Sequence, residues 1–74
     1  ILERMGKIEK IILIGDYANG IDTGNIEAVL VGNNLDMEYI TNIQNKVEKL
    51  VNRKISFYLT SNFLGKKPYI ILYE

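Results

Sequence analysis

Seventy-four residues suffice for one small domain, and at this size folding buries only about 60% of the extended chain's surface, which leaves thin stability. Hydrophobic residues make up 47% and charged residues 24% of the chain, a globular composition that excludes a disordered tail. Nine basic residues cancel nine acidic ones, so no overall field draws the chain to nucleic acid, and the lack of Cys and His excludes disulfides, thiol nucleophiles, thiolate metal sites and imidazole chemistry.

The opening Ile1-Leu2-Glu3-Arg4-Met5-Gly6 reads as a helix end closed by a C-cap glycine. Since the chain starts at Ile1 and not Met, residues 1–74 are expected to be one domain of a longer protein, with 1–6 the tail of a connecting helix. The first strand, Lys7–Ile14, begins with polar interruptions and finishes fully apolar, as a strand does on entering a sheet covered on both faces. Residues 15–25 are rich in Gly and Asn, which tolerate positive φ, and read as a compact hook in which Asp16 caps a short helical turn through Tyr17 and Ala18. A second strand follows over 26–31, stopped by Gly32-Asn33-Asn34.

Asp36 is a good N-cap, and Leu35 before it can staple to Ile40, so a helix starts here. Met37, Ile40, Ile43, Val47, Leu50 and Val51 recur at helical spacing and predict one sheet-facing side, with Asn52 as a left-handed exit. Lys46, Lys49 and Arg53 suit the negative pole of the helix dipole. The third strand alternates Ile55, Phe57 and Leu59 against Lys54, Ser56, Tyr58 and Thr60, which predicts one wet face. Residues 61–67 read as a loop, and Pro68 introduces a last strand over 69–73, at an edge or a strand start. The helical link between the second and third strands is long enough for a right-handed parallel crossover; the short links on either side favour antiparallel pairing. The expectation is an α/β fold, α+β in two layers: a small mixed sheet of about four strands with one main helix on one face.

Read from the residues alone, Asp16, Asp22 and Glu27 are solvated hook acids or the remains of a single-cation site. Gly15, Gly20, Gly24 and Gly32 serve the backbone or cradle a ligand. Tyr17, Tyr58, Tyr69 and Tyr73 fit a rim or partner interface better than a base-stacking platform.

The stretches Gly15-Asp16-Tyr17-Ala18-Asn19-Gly20 and Asn25-Ile26-Glu27-Ala28-Val29-Leu30-Val31-Gly32 resemble the core of the nucleotidyltransferase superfamily, which includes DNA polymerase beta and the minimal nucleotidyltransferases. The likeness spans residues 8–60. In that superfamily a strand ends in Gly-Ser, a loop carries Arg-Gly, and the next strand opens with Asp-x-Asp. Gly15-Asp16 stands for Gly-Ser here, Asn19-Gly20 for Arg-Gly, and Asn25-Ile26-Glu27 for Asp-x-Asp. The resemblance implies an in-line phosphoryl displacement assisted by divalent ions, for which two acids at i and i+2 of a strand supply hard oxygen ligands.

The required groups are altered. Asn25 is neutral, Glu27 is one methylene longer, and no third acid lies on the strand over 55–60. Asp16 would set a negative charge against a triphosphate, at a cost on the order of 1 to 4 kcal/mol. Gly15, Asp16, Asn25 and Glu27 are therefore expected to be vestigial, with no catalytic residue and no cofactor. Residual ligand contact would fall on Gly15, Asp16, Tyr17, Asn19 and Gly20, and Glu27 is the one weak candidate for a metal. The likeness is closest to nucleotidyltransferase-like domains that follow a winged-helix DNA-binding domain in bacterial transcriptional regulators. It implies a regulatory, ligand-sensing or dimerising role, a homo-oligomer, and DNA contact only through a segment outside these residues. The alternative is an active minimal nucleotidyltransferase using magnesium, with Glu27 and either Asp16 or Asp22 as ligands. No apolar run approaches the roughly 18 residues of a membrane span and the segment's start lacks a signal peptide's charged and apolar regions, so a cytoplasmic location and no membrane partner are expected.

Overall fold

In the computed structural model, which describes residues 6–74, the elements run β1 (Lys7–Ile14), α1 (Gly15–Ala18), β2 (Asn25–Asn33), α2 (Met37–Val51), β3 (Lys54–Thr60) and β4 (Ile70–Tyr73). The helix end expected over 1–6 falls outside the described residues, apart from Gly6. The strands form one mixed sheet in the order β3-β2-β1-β4, with α2 as the main helix, so the fold is two-layered α+β. β1 and β2 pair antiparallel, while β2 and β3 pair parallel across the α2 crossover, from Asn25 opposite Lys54 to Val31 opposite Thr60.

The last strand departs from expectation. The link from β3 does not make a hairpin: residues 61–69 cross the sheet, and β4 pairs antiparallel with β1 at the far edge. A physical reason lies in the apolar content of that link. Phe63 and Tyr69 pack edge to face, with centroids 5.2 Å apart, against the cluster of Ile12, Val29 and Val31 on the sheet face that α2 leaves open. That cover, rather than a second helix, is what allows Ala28, Val29, Leu30 and Val31 to be consecutive buried residues.

On the α2 face, Leu30 and Ile40 form the deepest cluster, flanked by Ile8, Ile11, Leu35, Tyr39, Ile43, Phe57 and Leu59. Burying side chains of the size of Leu30 and Ile40 stabilises by about 1.5–3 kcal/mol each. Strict alternation would put Ile8 and Ile11 on opposite faces. The register of β1 against β2 slips between Ile8 and Lys10, and this one-residue bulge at Glu9 returns Ile8 to the helix side. Gly32, expected to stop the second strand, lies inside β2, which runs on to Asn33; a Cβ at Gly32 would strike the Lys7 carbonyl. The chain leaves β2 at Asn34, in the left-handed region with φ 52°.

Helix α2 begins and ends as its sequence signals. Asp36 accepts a hydrogen bond from the Tyr39 amide at 3.1 Å, Leu35 packs on the Ile40 cluster, and Asn52 makes a left-handed exit with φ 55°. The apolar stripe is narrower than its spacing suggests. Met37, Leu50 and Val51 are exposed, Leu50 at 83%, and the buried or half-buried side of α2 runs from Tyr39 to Glu48. Two side-chain bonds hold the second half of α2 to β3: the Gln44 amide donates to the Ile55 carbonyl at 2.6 Å, and the Ile55 amide donates to Glu48 at 2.7 Å.

Candidate functional site

The hook joins β1 to β2. β1 finishes at Ile14, opposite Glu27, so Gly15 begins the turn directly beside the second acid of the altered motif. Gly15 has φ 74°, and a Cβ there would collide with Glu27 Oε2. The left-handed backbone selects glycine, while the Glu27 carboxylate, the end of a flexible side chain, lies against the bare Cα. The structure therefore brings Gly15 and Glu27 together. Strand alternation places Asn25 on the same face as Glu27, with Asn25 exposed at the mouth of the strand.

Asp16 does not cap the turn. It sits inside the four-residue α1, whose N-cap position is Ile14, and no side-chain bond closes the helix start. The hook is instead held by main chain. The amides of Asn19 and Ile21 both donate to the Asp16 carbonyl at 2.9 Å, and that of Gly20 donates to the Tyr17 carbonyl at 3.0 Å. The Asn19 side chain donates to the Gly15 carbonyl at 3.3 Å. These amides point back into the hook, so they are not directed outward as an anion cradle of the kind a phosphate uses. Tyr17, Gly20 and Asp22 line a shallow hollow of about 270 Å³. This is below the usual range for small-molecule pockets, roughly 300–1,000 Å³. Of the residues expected to contact a ligand, Tyr17 and Gly20 share this hollow; Gly15, Asp16 and Asn19 are not among its lining residues.

Two of the three acids of this region, Glu27 and Asp22, have side-chain or main-chain partners. Tyr58 on β3 donates its hydroxyl to Glu27 Oε1 at 2.9 Å. The hydrogen bond that the neutral phenol donates to Glu27 raises Tyr58 above its ordinary value, and ionising it would also set two negative charges side by side. Asp22 accepts the Gly24 amide at 3.0 Å and forms a fork with Arg53, whose Nε donates to Oδ1 at 3.0 Å and to Oδ2 at 2.9 Å, with Nη2 also on Oδ2. The Arg53 guanidinium, followed by the Gly24 amide, lowers the Asp22 carboxyl to about 2. Arg53 also donates to the Val51 carbonyl at 2.9 Å, and the Lys54 amide to the Gly24 carbonyl at 2.9 Å. The end of the hook is thereby clasped to the junction between α2 and β3.

Magnesium, implied by the resemblance, takes an octahedral set of oxygens, usually one or two free carboxylates completed by waters and substrate phosphates. The residues present do not fit it. Asn25 is neutral, one Glu27 oxygen is occupied by Tyr58, and Asp22 is occupied by Arg53 and Gly24. Among the described residues, no group of three or more acidic side chains converges in a manner suited to a metal ion.

Tyr58 and Arg53 escaped the sequence reading as partners of these acids. Both carried a signal. The parallel crossover makes β3 the neighbour of β2, and alternation places Tyr58 on the face of β3 that Glu27 occupies on β2. Asp22-Thr23-Gly24 is an Asx-turn pattern that fixes the carboxylate near the end of α2. The exact register, which sets Glu27 opposite Ser56 and diagonal to Tyr58, depends on side chains distant in sequence. No protein-family model, curated protein or solved structure matches this chain. No helix among the described residues is long and apolar enough to cross a membrane.

Proposed function

We propose that this chain is a nucleotidyltransferase-like domain that has lost catalysis and serves as the regulatory, ligand-sensing or dimerising part of a cytoplasmic bacterial transcriptional regulator. DNA contact belongs to a winged-helix segment outside these residues. The observation that carries this reading is the state of the Glu27 carboxylate. It lies against Gly15, where the superfamily frame predicts it, yet it accepts the Tyr58 hydroxyl in place of a cation's first coordination sphere. The strand-hook-strand geometry supports descent from the frame, and the occupied acids support loss of its chemistry.

Isothermal titration of the purified chain with magnesium and with ATP, each alone and together, tests this. The expected result is no saturable heat in any combination. Saturable binding of magnesium-ATP that Glu27→Ala removes would overturn the reading in favour of an active minimal nucleotidyltransferase.

A further inference from the structure

We infer that the outer edge of β4 is a self-pairing surface, on which a second copy of this chain adds its own β4 antiparallel to make a continuous eight-stranded sheet across a two-fold axis. This names the contact through which the dimerising role proposed above would act, and it rests on that reading only for its purpose.

Three observations converge on the strand. First, β4 terminates the sheet beyond β1, and among the described residues no strand pairs with its other side, so its outward amides and carbonyls are available to a further strand. Second, Ile70, Ile71, Leu72 and Tyr73 are 44%, 42%, 59% and 42% exposed, which puts apolar surface on both faces of an open edge. Edges that stay single are blunted by charge, Pro, a bulge or short length; β4 is short and slips register at Leu72 against β1, yet its four residues carry no charge. The opposite edge supplies the contrast. There β3 carries Lys54, Ser56 and Thr60 among its seven residues.

Third, charge flanks the strand asymmetrically. Lys66 and Lys67 precede it and Glu74 follows it. Antiparallel pairing of two copies brings Glu74 of each toward the Lys66-Lys67 end of the other, whereas parallel pairing would align like charges. Opposite charges across paired strands stabilise, and like charges oppose. The zero formal net charge places no overall repulsion between copies. A two-fold axis through the centre of β4 gives every contact twice, as an isologous dimer requires. Pro68 has no amide to donate and limits the pairing on that side, so a short self-complementary segment is favoured over a long foreign strand.

Size-exclusion chromatography with light scattering on the whole chain tests this, with the 8.5 kDa monomer mass as reference. The expected result is a dimer. Leu72→Lys, at the most exposed position of β4, should yield a folded monomer by circular dichroism. The flanking charges provide an independent arm that leaves β4 intact. Lys66→Glu with Lys67→Glu makes both ends acidic, and Glu74→Lys makes both basic. Each should weaken self-association by about tenfold or more, and mixing the two should restore a heterodimer. A native chain that stays monomeric at high concentration would overturn the inference. So would a dimer insensitive to Leu72→Lys and to both charge variants, or an edge that pairs only with a foreign apolar peptide. None of these readouts involves the hook, so a magnesium-ATP signal would overturn the loss of catalysis without touching this surface.

Discussion

Tyr58 and Glu27 show how one hydrogen bond can retire an acid. In the function proposed here the carboxylate stands in for a metal ligand, and its Oε1 accepts the Tyr58 hydroxyl. Because the folded state holds that proton more tightly than the unfolded chain, the pair contributes stability that is fully present below about pH 10 and lost as pH rises through the raised value. In an alkaline titration followed by phenolate absorbance, the component removed by Tyr58→Phe should titrate above the ordinary phenol value. Glu27→Gln should bring that component back toward the ordinary range. A Tyr58 component that ignores Glu27→Gln would contradict the contact. The fork between Asp22 and Arg53 acts on the other acid, at a solvent-exposed position where salt weakens it.

Local chemistry made most elements legible at their own scale. The Asp36 cap, the Leu35 staple and the Asn52 exit are encoded within a turn of where they act, and each stands as its residues suggest. Asp16 offered the same kind of signal and did not act on it, because the hook closes through the carbonyls of Asp16 and Tyr17. The extent of the buried stripe on α2 was not legible, since it depends on how far the sheet reaches beneath the helix. Here Ile40 and Leu50 are a matched pair of opposite fates, 2% and 83% exposed. Ile40→Ala should destabilise by about 2–5 kcal/mol in urea unfolding, while Leu50→Ala should stay within about 0.5 kcal/mol. Equal costs would mean that α2 packs in another rotation.

At the scale of the whole molecule, the mixed sheet with one main helix followed from alternating patterns and link lengths. The place of β4 did not. The link over 61–69 is short enough for a hairpin, and what carries it across instead is the need to cover Ile12, Val29 and Val31 with Phe63 and Tyr69. That requirement belongs to the assembled sheet and has no local signature beyond two aromatics in a polar loop. Its consequence is that β3 and β4 become opposite edges, one carrying polar residues and the other wholly apolar. The site follows the same division: glycine positions and strand order were readable, whereas the partners that neutralise its acids arrive from β3 and from the end of α2.

We propose that the hook retains the frame of a nucleotidyl-transfer site and not its chemistry. The most direct measurement is incubation of the purified chain with magnesium and a labelled nucleoside triphosphate, scoring label transferred to the chain itself or to a supplied acceptor protein. No transfer is predicted, and Glu27→Ala should leave the result unchanged. Transfer that Glu27→Ala abolishes would contradict the account.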